Sequence, residues 1–289
     1  MFYETIKEEV ENLSLTIACR SLDVSRSGYL KWTERKPNPP AAQDRRLVRR
    51  IEKISGEFGY YGYRRVTKAL NREMRQPVNE KKVRCIMKKQ GLSIKLRKFR
   101  PKTTNSNHSL SLFPDLAKGL KLTNINQLWV SDITYIDLNG VFLYLALLMD
   151  VFSKKIVGWQ LARDMTTRLC LDALERAFAV RHGTSLDGLI HHSDHGSQYL
   201  SYEYLARLKI KGIKSSTGET GVAYDNAFAE SLNKSVKYDE VYRSEYLSFE
   251  DVYISIKKYV EVYNKKRLHS KIGYRPPDEF EKGLKNSLN

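Results

Sequence analysis

Cysteine is scarce in this chain of 289 residues, and the three that occur, Cys19, Cys85 and Cys170, lie far apart. Because none has a partner at paired spacing, they indicate neither a disulfide framework nor a cysteine-based zinc site. Long hydrophobic runs are also missing. The longest, residues 141–149, covers nine residues, whereas a helix needs about 20 to cross a bilayer. We therefore expect a protein of a reducing cytoplasm, with no secretory signal and no membrane span.

Acidic side chains are in short supply only in the first part of the chain. The formal net charge is +17, and residues 1–120 hold 27 Lys and Arg against 12 Asp and Glu. Residues 121–289 are nearly balanced, with 23 against 21. Residues 81–102 contain ten basic side chains and no acidic one. Phosphate binding explains this distribution better than an ordinary solvated surface does.

Two helix-turn-helix patterns are predicted within this basic part. Residues 13–32 are typical of two short helices separated at Asp23, and Ser25 can cap the second of them. Residues 63–91 have helical apolar spacing on both sides of a break, and Asn79 can cap the helix after that break. The first part of the chain is therefore predicted to be all-helical.

The last of these helices has an apolar face formed by Val83, Ile86 and Met87, and basic side chains on the rest of its surface. This one-sided charge favours phosphate binding over a plain helical hairpin. We predict that seven side chains contact the backbone of double-stranded DNA: Lys81, Lys82, Arg84, Lys88, Lys89, Arg97 and Lys98.

Strand patterns begin after a polar, aperiodic stretch at residues 101–111. Strands are predicted at 128–136, 141–149, 155–161 and 189–193, and helices at 167–180, 202–209, 224–238 and 249–263. The dipeptide Asn139-Gly140 indicates a tight hairpin between the first two strands. Three strands followed by alternating helices and strands predict a mixed sheet covered by helices, the α/β layer arrangement.

A carboxylate interrupts the first predicted strand. Asp132 lies on the pleat face of Val130 and Ile136, and no Lys or Arg nearby in sequence can pair with it. A buried acid needs hydrogen bonds, a partner or a cation. Asp194 directly follows the strand at 189–193, at the end where α/β sheets usually bind ligands. These two acids are therefore predicted to share a metal ion.

A third carboxylate is predicted on the helix at 224–238. Asn226, Glu230, Asn233 and Lys237 recur at intervals of four, three and four residues, so they form one polar stripe. Two amides, one acid and one lysine are an unusual set for a solvated surface and favour a functional role. The apolar face of the same helix is predicted to comprise Phe228, Leu232 and Val236.

Three carboxylates without cysteine suit a hard cation such as Mg²⁺ or Mn²⁺, which acts together with substrate phosphates. The histidines around Asp194 leave a zinc or di-metal hydrolase as an alternative. His191 and His192, however, point to opposite sides of a strand, and the chain has no helical pair of histidines at four-residue spacing. We therefore favour the carboxylate site and expect these histidines in the core or in a supporting role.

Three segments, WVSDITYI, HHSDHGSQY and YDNAFAES, carry the three acids, with 35 residues between Asp194 and Glu230. Together they resemble the DDE transposases of bacterial insertion sequences, whose catalytic core is shared by retroviral integrases. The closest resemblance is to the downstream-frame, OrfB-type subunit of elements that make their transposase by frameshifting. It covers nearly the whole chain, through IACRSLDVSRSGYLKW, GYRRVTKALNREMRQPVNEKKVRCIMKKQGL and YNKKRLHSKIGYRPPDEFE.

The resemblance implies an α/β ribonuclease-H-like core with a mixed five-stranded sheet, preceded by an all-α helix-turn-helix region. It implies that Asp132, Asp194 and Glu230 bind two Mg²⁺ ions, with Mn²⁺ as an alternative, and that Lys237 holds the DNA backbone beside them. We expect three further side chains to support the carboxylates: Asn226, Asn233 and His195. The domain boundaries that follow are 1–100 for the DNA-binding region, 101–123 for a linker, 124–245 for the core and 246–289 for a helical extension.

The implied reaction is cleavage of a DNA strand, followed by attack of the 3′-OH on target DNA. We expect a homo-oligomer on the element ends and target, in the bacterial cytoplasm and associated with the nucleoid, acting with or fused to an upstream-frame subunit. Two alternatives remain: a hydrolytic nuclease or resolvase on the same core, and a DNA-binding regulator without catalysis. A regulator has no use for an unpaired acid in a buried strand.

Overall fold

The computed structural model describes four parts of the chain: residues 14–34, 42–94, 113–218 and 227–287. Three residues with predicted roles lie outside them: Arg97, Lys98 and Asn226. The chain divides into two compact units, residues 1–56 and 57–289. No helix in the described parts is long and apolar enough to cross a membrane.

The first unit contains the predicted pair of short helices, α1 (Leu15–Ser21) and α2 (Arg26–Thr33). Asp23 adopts a positive φ of 50° in the turn between them. The Ser25 side chain caps α2 by accepting a hydrogen bond from the Gly28 N–H at 3.3 Å. A small cluster of buried side chains holds the pair together: Ala18, Cys19 and Tyr29. A further helix, α3 (Ala42–Glu57), was not predicted.

The second helix pair, α4 (Tyr63–Glu73) and α5 (Glu80–Lys89), begins the second unit. Asn71 fixes the turn between them, because its Oδ1 accepts from the Val78 N–H at 2.7 Å and its Nδ2 donates to the Val78 carbonyl at 3.2 Å. The cap predicted at Asn79 is confirmed, since its side chain accepts from the Lys81 N–H at 2.8 Å.

Five strands form one mixed sheet, as the family resemblance implies, and their order is β3-β2-β1-β4-β5. They are β1 (Leu128–Leu138), β2 (Val141–Asp150), β3 (Ile156–Ala162), β4 (Ile190–Ser193) and β5 (Lys214–Thr217). The first three pair antiparallel, whereas β4 runs parallel to β1 and to β5. The residue pattern alone does not reveal β5, because its four residues, KSST, have no apolar alternation.

Helices cover both faces of this sheet. They are α6 (Thr167–Val180), α7 (Tyr202–Ile210), α8 (Ala227–Asp239), α9 (Phe249–Lys265) and α10 (Pro277–Ser287). One buried cluster joins sheet residues such as Trp129 and Leu148 to α6 and α7. The other joins Val130 and Leu147 to α8 and α9. The pleat alternation predicted for β1 is therefore confirmed, and Asp132 lies on the face that α8 covers.

The predicted apolar face of α8 was partly wrong. Phe228 is 47% exposed, and the Lys154 Nζ lies 4.4 Å from the centre of its ring. Ala229 is buried in its place, together with Leu232 and Val236. These three recur at intervals of three and four residues, so they form the ridge that faces the sheet, and Phe228 lies to one side of it.

Candidate active site

The register of the sheet brings two of the three predicted carboxylates together. The parallel pairing of β1 with β4 ends where Val130 lies opposite His192. Asp132 and Asp194 each follow two residues later along their own chain segment. Neighbouring strands are about 4.8 Å apart, so the two acids emerge side by side at the same end of the sheet.

The Asp132 side chain is held by two hydrogen bonds. Its Oδ1 accepts from the Ile133 N–H at 2.8 Å, and its Oδ2 accepts from Asn233 Nδ2 of α8 at 2.7 Å. Burial and then the charge of Asp194 raise the pKa of Asp132 to about 7, with a smaller contribution from Glu230. The two hydrogen bonds oppose this increase without cancelling it. Two hydrogen bonds therefore stabilise the charged form of Asp132, and none of the described residues forms an ion pair with it.

Asp194 lies in the turn after β4, where its outer side reaches solvent. Its Oδ1 accepts from the Gly196 N–H at 3.1 Å, which orients the carboxylate back towards the sheet. A Cβ at position 196 would lie 3.0 Å from this oxygen, so a larger residue there would have to displace the carboxylate by a few tenths of an ångström. The pKa of Asp194 is also raised, because packing around the carboxylate removes water.

Glu230 lies in the first turn of α8, with its side chain exposed. Its charge acts on the Asp132 pKa, so it faces the same region. Nowhere in the described ranges are three or more His, Cys, Asp or Glu side chains arranged closely enough to hold a metal ion. The acids thus converge without forming a closed cage. An open set of oxygen donors fits Mg²⁺, which keeps waters and substrate phosphates among its ligands.

The polar stripe of α8 has two members that contact this site. Asn233 is buried and donates to Asp132. The Lys237 Nζ lies 4.2 Å from the ring centre of Tyr135, and burial lowers the lysine pKa while the charge of Asp132 raises it. The contact with Tyr135 was not predicted. Its only signal in the sequence is a position three residues after Asp132 on the same strand.

The histidines around Asp194 do not form a zinc site. His191 is buried and hydrogen-bonds Tyr204 Oη through Nε2 at 2.9 Å, and burial lowers its pKa to about 3. His192 Nδ1 hydrogen-bonds Ser216 Oγ at 3.0 Å on the other side of the strand. Both are core histidines, as predicted. His195 remains next to Asp194, whose pKa its charge lowers.

The basic helix α5 has the surface that the sequence predicts. Val83 and Met87 are buried. Five basic side chains are exposed around them: Lys81, Lys82, Arg84, Lys88 and Lys89. The Arg84 guanidinium lies 5.5 Å from the ring centre of Tyr63 on α4. The helix thus presents a positive surface suited to a phosphate backbone.

Comparison with known proteins agrees with this architecture. Two models described as "Integrase core domain" match residues 123–222 and 211–277, and a model of an HTH-like domain matches residues 42–100. The fold and the carboxylate site therefore define a ribonuclease-H-like polynucleotidyl transferase with an integrase core. An integrase core implies a divalent metal ion, and together the two kinds of domain imply DNA binding.

Whole-length relatives specify the family. The transposase for insertion sequence element IS629 from Shigella sonnei is 35% identical over 93% of this chain and 92% of its own length. Transposase InsF for insertion sequence IS3A from Escherichia coli is 32% identical over 97% of this chain and 98% of its own length. The chain belongs to the DDE transposases of bacterial insertion sequences. Nothing in these comparisons favours a nuclease, a resolvase or a non-catalytic regulator.

Solved structures with a similar fold include the catalytic core domain of HTLV-2 integrase in complex with magnesium. That structure has a TM-score of 0.43 and 17% identity, covering 54% of this chain and 96% of its own. A simian T-cell lymphotropic virus intasome has a TM-score of 0.46 and 14% identity, covering 80% of this chain and 74% of its own.

Proposed function

We propose that Asp132, Asp194 and Glu230 are the metal ligands with which this transposase cuts and joins DNA strands. The observation that carries this proposal is the placement of Asp132 beside Asp194 without an ion pair in the described parts of the chain, where burial and the charge of its neighbour raise its pKa. A divalent cation between the acids would stabilise both charged forms. Two Mg²⁺ ions, or Mn²⁺ in their place, would activate the attacking oxygen and stabilise the departing one.

The surrounding side chains orient this set. Asn233 and the Ile133 N–H each hold one oxygen of Asp132, which would keep the carboxylate in a fixed orientation for binding ions. His195 lies beside Asp194, and its positive form would favour the charged carboxylate. Lys237 binds the DNA backbone next to the reacting phosphate. Asn226, which lies outside the described residues, is proposed to support Glu230.

We propose that the basic surface of α5 binds the DNA backbone away from the reacting phosphate. We propose that Arg97 and Lys98 bind the same backbone. The substrates are the ends of the insertion sequence and a double-stranded target. A protein that joins two ends to one target needs at least two active subunits, so we propose a homo-oligomer on DNA. We further propose that it acts with, or fused to, an upstream-frame subunit in the bacterial cytoplasm, associated with the nucleoid through DNA.

The carboxylate assignment predicts that Asp132→Asn, Asp194→Asn and Glu230→Gln each abolish Mg²⁺-dependent cleavage while DNA binding persists. Each change keeps the shape of the side chain and removes the charge that a metal ligand needs. The measurement is cleavage of a labelled duplex that carries the element's terminal sequence, alongside binding of the same duplex. Glu203→Gln, an exposed acid at the start of α7, is the control. Wild-type cleavage by any of the three variants would remove that residue from the site.

A further inference from the structure

Two pairs of aromatic side chains are linked through Lys237 of α8, near the candidate active site. Tyr135 and Phe142 come from the β1–β2 hairpin, with ring centroids 5.2 Å apart and planes at 73°. Tyr238 and Tyr242 follow at the end of α8, with ring centroids 5.3 Å apart and planes at 89°. Lys237 links the two pairs, because its Nζ lies 4.2 Å from the ring centre of Tyr135 and Tyr238 directly follows it in the chain. These four rings are the aromatic cluster.

Folding alone does not account for this cluster. Phe142 is 50% exposed, and the neighbouring Val141 is 58% exposed. A cross-strand aromatic pair stabilises a hairpin, but that role is best served by rings that cover each other. Here the hairpin presents half of a phenyl ring and an apolar neighbour to solvent, next to a lysine that is partly buried.

Lys237 adds a positive charge to the aromatic cluster. Its Nζ lies 4.2 Å from the ring centre of Tyr135. A lysine ammonium is a compact point charge that binds phosphate. An ammonium beside an exposed ring can therefore bind the phosphate and the base of one nucleotide at the same time.

The position of the aromatic cluster indicates which part of the DNA it contacts. Tyr135 lies three residues beyond Asp132 on β1, and Phe142 lies opposite Asp137, five residues beyond it, so the two rings are about 10 and 17 Å along the strand from Asp132 and on its other pleat face. In a duplex each base face is covered by its neighbours, so only unpaired nucleotides can stack on a protein ring. Positive charge and open π faces beside a DNA-cutting site match single-stranded DNA better than they match a second protein surface.

We propose that the aromatic cluster stacks the unpaired bases of DNA that flank the reacting phosphate, while Lys237 binds their backbone. This inference rests on the proposed function and adds a single-stranded subsite to it. Phe142 is its outermost ring and supplies the principal stacking surface.

The test uses the full chain in EDTA, so that no strand is cut, with two labelled duplexes that differ only in a short unpaired tail. The tail contains 2-aminopurine, whose fluorescence is quenched when the base stacks. Phe142→Ala should weaken binding of the tailed duplex by roughly 5- to 150-fold, the range expected when one base no longer stacks. Binding of the blunt duplex should stay unchanged, and the quench should disappear.

Three further variants make the result specific. Val141→Ala removes an exposed apolar side chain from the same hairpin without removing a ring, so it should bind like wild type. Phe142→Trp should keep tail binding because the stacking surface remains, and Phe142→Leu should lose it although the apolar bulk is kept. Wild-type tail binding by Phe142→Leu or Phe142→Ala would overturn the inference. An equal loss of affinity for the tailed and the blunt duplex, or a change confined to the oligomeric state, would also overturn the inference.

The carboxylate metal site and the single-stranded subsite can be rejected independently of each other. If the carboxylate variants are inactive and the 2-aminopurine fluorescence of the tail is still quenched on binding to Phe142→Ala, only the single-stranded subsite is rejected. If a carboxylate variant cuts DNA normally, the metal site is rejected whatever the tail does.

Discussion

At the scale of single residues, the candidate site depends on how the partly buried carboxylate of Asp132 is held. Asp132 accepts two hydrogen bonds, and the one from Asn233 crosses from helix α8 to strand β1. Removing this donor would favour the protonated acid, because hydrogen bonds to a carboxylate stabilise its charged form. Under the proposed metal site, Asn233 is thus a positioning residue that would act through Asp132.

Asn233→Ala should raise the Mg²⁺ concentration needed for half-maximal cleavage by about 10- to 100-fold, the usual effect of losing a group that orients a metal ligand. The acid limb of the pH–rate profile should move to higher pH, because the Asp132 pKa rises without its donor. Ser231→Ala, an exposed change on the same helix, is the matched control. A lower melting temperature with unchanged Mg²⁺ and pH dependence would indicate a purely structural role.

At the scale of elements, different helices and strands supply different functional groups to the candidate sites. Strand β1 supplies Asp132 from within the strand, the turn after β4 supplies Asp194 beside it, α8 supplies Glu230 and Asn233, and α5 supplies positive charge. The helix α5 can do this because two buried residues, Val83 and Met87, anchor it and leave its basic side chains exposed. Its contribution to DNA binding should therefore be electrostatic and independent of base sequence.

Changing Lys81, Lys82, Lys88 and Lys89 together to glutamine should weaken duplex binding on every sequence tested. In a plot of log affinity against log salt, the slope should become shallower by about 0.9 for each DNA phosphate that the protein no longer neutralises. The control removes the same charge elsewhere, from four exposed lysines: Lys209, Lys214, Lys257 and Lys258. An equal change of slope in both proteins would mean that α5 contributes only net charge and does not bind DNA at defined phosphates.

At the scale of the whole molecule, buried ion pairs attach the C-terminal segment to the core within the second unit. Arg267, after α9, donates from Nε to Asp239 Oδ2 of α8 at 2.8 Å, and both side chains are buried. Arg181 bridges Asp150 of β2 and Glu281 of α10. The extension is therefore part of the frame that holds α8, and with it Glu230 and Asn233, against the sheet.

Asp239→Asn should reduce the free energy of unfolding by about 3–5 kcal/mol, because it leaves the Arg267 guanidinium buried without a counter-charge. Glu175→Gln provides the comparison, since it breaks an ion pair with Arg207 in which both side chains are at least 40% exposed, and such pairs contribute about 1 kcal/mol or less. Urea denaturation of both variants measures the difference. A similar loss of free energy of unfolding in both variants would show that water reaches the ion pair between Arg267 and Asp239.

Much of this protein is determined locally and can therefore be predicted from sequence. The caps at Ser25 and Asn79, the hairpin at Asn139-Gly140 and the pleat that separates Asp132 from Trp129 depend on neighbouring residues alone. The carboxylates stand out because an acid inside an apolar strand is unfavourable without a partner. Their spacing and flanking segments then indicate the family.

What the tertiary structure alone decided is which side chains meet. The strand β5 has no apolar pattern and exists because β4 offers it backbone hydrogen bonds. Ala229 instead of Phe228 faces the sheet because the helix is rotated by its packing partners. The contact of Asn233 with Asp132 spans 101 residues, and the aromatic cluster joins a hairpin to the end of a helix. Such contacts depend on the relative placement of elements distant in sequence, which periodicity and capping within each element do not specify.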